Sequence, residues 1–525
     1  MPNPPPADAH REEIEQTLHT PLCALLGCRL PLVLAGMGGV ARSELVAAVG
    51  EAGGFGFLGM VREPVALIRN EVAAVRRLTA RPFGVNLIPA ATDPALLRDQ
   101  IDACVALRVP VVGLFWDVSP DVIARLREAG IRVVHQVGSV ADADLAQESG
   151  ADALIVQGIE AGGHVRGLRP LTELLAEVLA VAHVPVAAAG GIADGVDVAR
   201  VLSLGAQAAV LGTALAATTD SFAHDFHKQR LVDARGSDTL LTEIFHINWP
   251  PRCLVRVLPN SATRGERGDA FGEGRTVIGD EQGRPIYLFS TDSPLRSMTG
   301  DFEAMALYAG AGVGRVDAVV PAAERIARLA AEAAVQLRLA SGRAGRASAV
   351  CYAEEPEARQ APDAAARRGE ILARLDELLE AERAGARVTL RSVRHTDDVP
   401  LRAAIEAIHH DEVRWCAMLS RLIRGLQATP STRTGAFYDK AMAVEDLRER
   451  MDFLNRGQGW VVKKLRELLA LIPEGEQAMR RDLDEMLVAH RTNIERVKGL
   501  LGESGNGAPA SAPHAALSPQ AGRRK

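Results

Sequence analysis

The chain has 525 residues, with 60 Lys+Arg against 66 Asp+Glu for a formal net charge of -6, which offers no global cationic field for nucleic-acid phosphates or an anionic membrane. Its six cysteines (Cys23, Cys28, Cys104, Cys253, Cys351, Cys416) are scattered and form no C-x-x-C pair, which argues against a disulfide framework or a thiolate zinc site, and a reducing cytoplasm fits best. Hydrophobic residues make up 47% and aromatics only 4%, so the core must be built from Ala, Val, Leu and Ile, compatible with α/β or all-α packing.

Residues 1–24 are a lead-in whose first twenty positions carry prolines and acids where a secretory signal needs a continuous apolar stretch. No uncharged apolar run in the chain is long enough to span a bilayer. From 31 to 213, short β-rich runs alternate with amphipathic helical segments. The candidate strands are 31–36, 54–60, 82–88, 109–116, 132–138, 153–158, 184–191 and 208–213. Ser43 and Ser119 are placed as helix N-caps, and Gly130 sits at a helix stop. Serial βα units of this number predict an α/β fold closed as a TIM (β/α)8 barrel over 25–338; an open doubly wound sheet is the alternative.

The rhythm is lost at about 221–320, which reads as a lid region of that barrel. Residues 339–368 read as a linker, rich in small, charged and proline residues. Helical periodicity then returns over 369–392, 399–425, 435–470 and 475–501, predicting a four-helix bundle over 369–501. The tail 502–525 has the composition of disorder.

In a TIM barrel the reactive groups lie on loops at the C-terminal ends of the strands. The seventh candidate strand ends in AGGI and the eighth in LGT, so Gly190, Gly191, Gly212 and Thr213 are a candidate phosphate cradle, the glycines leaving backbone N–H groups open to an anion. The sixth ends in QGIEAGGH. There Gln157 offers an amide donor and acceptor, Gly162 and Gly163 permit close backbone approach, and His164 has a side chain whose unperturbed pKa near 6.5 suits a general base.

Ala35–Gly36–Met37–Gly38, GVNL at 84–87, QGIEAGGH at 157–164, AGGI at 189–192 and LGT at 211–213 together resemble the nitronate monooxygenase family. The resemblance implies an FMN-containing barrel that oxidises alkyl nitronates, and nitroalkanes, with O2 to carbonyl compounds and nitrite. It implies flavin contacts at Met37, Asn86, Gln157, Gly162, Gly163, Gly190 and Gly191, and a phosphate loop at Val210, Leu211, Gly212 and Thr213. It also implies His164 as catalytic base and Tyr308, in YAGAGVG, as a residue closing the pocket. Two departures stand out: Val210 replaces a frequent glutamine, and the residue after the histidine is Val165, with Arg166 one place later. A flavin-dependent enoyl-thioester reductase using NAD(P)H and a flavin-binding sensor or scaffold are the alternative functions. The partners expected are a small-molecule substrate and O2, with no nucleic acid and no membrane.

In the helical region, a wheel at about 100° per residue puts Glu412 on the stripe of Leu401, Ile405, Ile408, Trp415, Leu419 and Leu422. The same construction puts Glu382 with Ile371, Leu375 and Leu378, and His490 with Met479, Leu483, Met486 and Val497, while the third helix offers Asn455 and Gln458. The arrangement resembles ferritin-like bundles, whose di-iron form uses two Glu-x-x-His pairs. Here Glu406-x-x-His409 has the spacing, but Glu406 points off the stripe and Leu487 stands where a second such pair needs an acid. A hydrogen-bonded polar core of Glu382 and Glu412 with His409 or His490 is therefore favoured over a metal site built from the same residues. The amphipathic faces also suit homo-oligomerisation.

Overall fold

The computed structural model describes residues 7–349 except 251, and 362–502 except 394, 395, 397, 427, 432, 474 and 475. The predicted tail therefore lies outside the described residues, apart from Gly502. The chain divides into two compact units, residues 1–366 with 413–434, and residues 367–412 with 435–525.

All eight predicted barrel strands form: β1 (Leu32–Leu34), β2 (Phe55–Gly59), β3 (Gly84–Leu87), β4 (Val111–Phe115), β5 (Arg132–Val137), β6 (Ala153–Gln157), β8 (Val186–Ala189) and β9 (Ala208–Leu211). They pair in parallel in that order, and β9 closes on β1 with Val210 opposite Val33. The strands read as nearly continuous apolar runs because one face packs inside the barrel and the other against helices. Val33, Phe55, Phe57, Val111, Val134, Ile155, Ala187 and Val210 fill the interior, and Leu22 and Leu26 of the helix Pro21–Leu26 join them. The hydroxyl of Thr20 donates to the carbonyl of Gln207 (2.6 Å), just before β9, so this helix plugs the N-terminal end and leaves the other end open for chemistry.

Close backbone approach explains one strand-end glycine. A Cβ on Gly59 would stand 1.9 Å from the carbonyl oxygen of Met37, a backbone atom that cannot move without shifting the turn after β1. Gly59→Ala is expected to destabilise the barrel by roughly 1–3 kcal/mol, the usual range for overpacking, and to lower Tm by several degrees in a calorimetric scan. An unchanged Tm would show that the turn gives way freely.

The 221–320 region contributes two small antiparallel sheets. In the first, β10 (Leu240–Thr242) pairs with β11 (Leu254–Val257), which on its other edge pairs with β7 (Gly163–Val165), a short strand in the loop after β6. The second contains β12 (Val277–Glu281), β13 (Arg284–Tyr287) and β14 (Met298–Gly300). Neither was readable as strands from the turn-rich composition.

Four long helices, Pro362–Ser392, Val399–Gly425, Leu447–Leu471 and Gln477–Gly502, make up the C-terminal helical region. In the second unit Val388, Leu401, Ile405, Met451, Leu454 and Val497 share a core. The segment expected as one helix over 435–470 is two, Phe437–Met442 and Leu447–Leu471, because the Asp446 carboxylate accepts from the Glu449 N–H (2.9 Å) and starts a new helix. The expected linker 339–368 is helical at both ends: one helix spans Ala322–Ala349 and the next begins at Pro362. Alanine and arginine in SGRAGRASA sustain a helix without an apolar stripe. No disulfide links the five described cysteines, and no described helix is long and apolar enough to cross a membrane.

Candidate active site

A cavity of about 900 Å³, of a size suited to a cofactor with a substrate, is lined by the strand-end loops. Met37 enters from the turn after β1, Asn86 from β3 and Gln157 from β6. Gly162, Gly163 and His164 come from the loop and β7, Gly190 and Gly191 follow β8, and Val210, Gly212 and Thr213 end β9. Tyr308 reaches the same cavity from the segment that follows the two small sheets. Leu211 does not line it: strand alternation turns its side chain the opposite way from Val210, and its carbonyl accepts from the Ala35 N–H (3.0 Å).

His164 is held by backbone on two sides. Val255 of β11 pairs opposite it, and the Gln157 amide bridges across its loop, donating from Nε2 to the His164 carbonyl (2.9 Å) and accepting from the Arg166 N–H at Oε1 (3.0 Å). The imidazole stacks on Trp249 with ring centroids 3.5 Å apart and planes at 21°, while Tyr308 stands 5.8 Å away. Its Nε2 is sealed from solvent and has no hydrogen-bond partner among the described residues. Burial, reinforced by the Arg62 cation, pushes the pKa of His164 down to about 3, so the ring is neutral at physiological pH.

Arg62 follows β2 in left-handed backbone (φ 57°) and donates to the Asn248 carbonyl (2.6 Å) and the Thr291 hydroxyl (3.0 Å). Tyr308 donates its hydroxyl to the Thr291 carbonyl (2.9 Å); burial first, then Asp292, holds its phenol well above the usual range. His227 lies 3.1 Å from the Tyr308 carbonyl, and burial lowers its pKa to about 4. The N–H of Gly310 donates to the Thr213 hydroxyl (2.9 Å), tying the YAGAGVG segment to the end of β9.

The displaced arginine finds a different task. Arg166 pairs with Asp117 (2.9 Å) and Asp142 (3.6 Å) and does not line the cavity. The cation near the histidine is Arg62 instead. Arg62, His227 and Trp249 belong to none of the sequence motifs, yet all three line the cavity. Arg62 is within reach of sequence alone, three residues past the end of β2, where barrel chemistry resides. His227 and Trp249 lie in the region with no legible periodicity.

A closed parallel barrel whose strand-end loops converge on a half-buried, neutral histidine defines a TIM-barrel enzyme with its active site at the C-terminal mouth. A family model described as nitronate monooxygenase matches residues 19–332, and the chain belongs to that family of oxidoreductases. A second model, a domain of unknown function (DUF6306), matches residues 369–499.

The chain is 37% identical over 257 residues to a Mycobacterium tuberculosis protein named (3aS,4S,5R,7aS)-5-hydroxy-7a-methyl-1-oxo-octahydro-1H-indene-4-carboxyl-CoA dehydrogenase, a match covering 48% of this chain and 71% of that protein. It is 29% identical over 331 residues to a probable nitronate monooxygenase of Staphylococcus aureus, covering 53% and 92%. Among solved structures it resembles FabK from Thermotoga maritima (TM-score 0.54, 28% identity, 62% of this chain and 99% of that one). It also resembles a nitroalkane oxidase from Streptomyces ansochromogenes (TM-score 0.50, 33% identity, 61% and 99%).

Proposed function

We propose that the barrel is an FMN-dependent nitronate monooxygenase, converting alkyl nitronates, and nitroalkanes, with O2 to carbonyl compounds and nitrite. The observation that carries this reading is His164, a neutral histidine whose Nε2 has no partner among the described residues, on the wall of the same cavity as a glycine-built anion cradle.

The residues present fit the cofactor. Gly190 and Gly191 adopt left-handed backbone (φ 121° and 68°), and a Cβ on Gly212 would meet only the Met37 sulfur at 3.8 Å, so the loop ends are open to a phosphate. Gly190, Gly191, Gly212 and Thr213, with Val210 at the same strand end, would hold that phosphate. Met37, Asn86, Gln157, Gly162 and Gly163 would line the ribityl and ring. When bound, FMN supplies the electron transfer to O2.

The protein's own work is proton handling and anion placement. Neutral His164 accepts the acidic α-proton of a nitroalkane, or donates to an already formed nitronate. The Arg62 cation that depresses the histidine also favours an anionic substrate, and that anion in turn raises the imidazole pKa once bound. Trp249 holds the ring plane, and Tyr308 screens it from water, which strengthens each of these charge interactions.

Purified protein is expected to be yellow, with a flavin absorbance spectrum, and to consume O2 and release nitrite with an alkyl nitronate. Flavin-saturated, folded protein that consumes no O2 with such substrates sinks the proposal. A second reading, a flavin-dependent acyl-thioester dehydrogenase or NAD(P)H-dependent enoyl-thioester reductase, is favoured by the 37% identity to a carboxyl-CoA dehydrogenase against 29% to the probable nitronate monooxygenase. Anaerobic stopped-flow separates them: rapid bleaching of the flavin by an acyl-CoA or by NAD(P)H, with none by a nitronate, selects the second.

A further inference from the structure

Three buried side chains in the second unit are left without a role by the barrel chemistry. Glu382 lies on the first of the four long helices, Glu412 on the second and His490 on the fourth. They are 0%, 3% and 1% exposed. Each offers a ligand atom, and the three atoms lie within 4.8 Å of one another.

The protein satisfies these atoms only in part. Both carboxylate oxygens of Glu382 and both ring nitrogens of His490 lack a hydrogen-bond partner among the described residues. Nε2 of His490 is 3.3 Å from Oε2 of Glu382 but without hydrogen-bonding geometry. Glu412 receives one long bond, 3.3 Å from the Gln458 amide on the third helix. No lysine or arginine among the described residues pairs with either carboxylate. Two buried acids and an imidazole that face one another with a single long hydrogen bond among them are expensive to maintain unless something binds them.

The surrounding helices make room for this group. A Cβ on Gly385 would fall 2.4 Å from Oε2 of Glu412, so a mid-helix glycine, unfavourable in itself, clears the volume that the carboxylate occupies. His409, the other candidate, is turned away, its Nδ1 3.0 Å from the Ala386 carbonyl and 3.2 Å from the Thr389 hydroxyl. Glu406 is exposed. The two-metal pattern with paired Glu-x-x-His motifs is thus absent, and what remains is one three-residue site.

We propose that Glu382, Glu412 and His490 bind a single divalent first-row transition cation. Two carboxylates with one imidazole form a mixed O/N set suited to Zn²⁺, Fe²⁺ or Mn²⁺, whereas Ca²⁺ and Mg²⁺ take oxygen ligands. A tetrahedral shell with bonds of about 2.0–2.1 Å has edges of about 3.3–3.4 Å, and the His490–Glu382 pair already has that span at 3.3 Å. Side-chain rotation of Glu412 closes the remaining edges, leaving a fourth position for water.

The test uses full-length protein, treated with a chelator, dialysed, and titrated anaerobically with Zn²⁺, Fe²⁺ or Mn²⁺ alone. Elemental analysis is expected to find about one ion per chain, and calorimetry a rise in Tm of the second unit. Glu412→Gln and Glu382→Gln keep the side-chain size and remove the charge, so they leave the helices intact by circular dichroism while weakening the cation roughly 100-fold or more; His490→Gln does the same from the nitrogen side. Folded wild-type protein that takes up no stoichiometric ion at about 100 μM overturns the proposal. So does uptake that all three variants retain, because the ion then sits elsewhere.

Discussion

Replacing His164 by Asn is expected to lower kcat/KM for a neutral nitroalkane by about 10²–10⁴-fold, the usual contribution of a positioned general base. The same variant is expected to lose only about tenfold or less on a preformed nitronate, from which no α-proton need be removed. Asparagine keeps a polar group against Trp249 and leaves the glycine cradle untouched, so flavin content should not change. Equal losses on the two substrates would mean that His164 places the substrate and does not deprotonate it. Because burial and Arg62 hold its pKa at about 3, kcat/KM for the nitronate should show no ionisation of this group between about pH 5 and 8. An inflection near pH 6.5 that disappears in the variant contradicts a neutral resting histidine.

Acidification from pH 7 to 5 is expected to destabilise the barrel unit strongly. His135, His164 and His227 are held by burial at pKa values of about 4, 3 and 4, below the ordinary 6.5. For each, the unfolded chain takes up a proton as pH falls below 6.5 while the native state stays neutral. The stability they permit is thus fully present above pH 6.5 and is lost as pH falls toward the native values. Each residue contributes up to about 1.4 kcal/mol per pH unit in that window. Together the three withdraw on the order of 6 kcal/mol by pH 5, comparable to the whole stability of many domains. Urea titrations at pH 7, 6 and 5, read by hydrogen exchange of the barrel strands, measure it. His135→Gln removes a group that faces away from the cavity and should flatten the slope by about one third; an unchanged slope shows that the native protein admits the protons by another route.

Much of the barrel is legible in the amino-acid order. Strands buried on both faces are apolar throughout, so VVGLF, ALIVQ and AAVL announce themselves without long-range information. The glycines at strand ends are equally local: AGGI and LGT meet backbone demands of the turns they form, and they do line the cavity, as does His164. Leu211 does not line the cavity because strand alternation turns its side chain away from it, which a motif read as a contiguous block does not show. The break at 443–446 failed because Asp446 acts as an N-cap inside what reads as one continuous apolar stripe.

By itself, then, the amino-acid order determined a closed βα barrel, a glycine cradle at its mouth, a histidine beside it, and inward-facing acids in the helices. Those properties follow from periodicity, turn chemistry and helical phase, each of which acts over a few residues. Only the tertiary structure decided that His164 is neutral and stacked on Trp249, that Arg62 and not Arg166 is its cation, and that His490 and not His409 meets Glu382 and Glu412. Desolvation and charge proximity are sums over neighbours from distant parts of the chain, 85 residues apart for His164 and Trp249, so they exist only once the chain has folded.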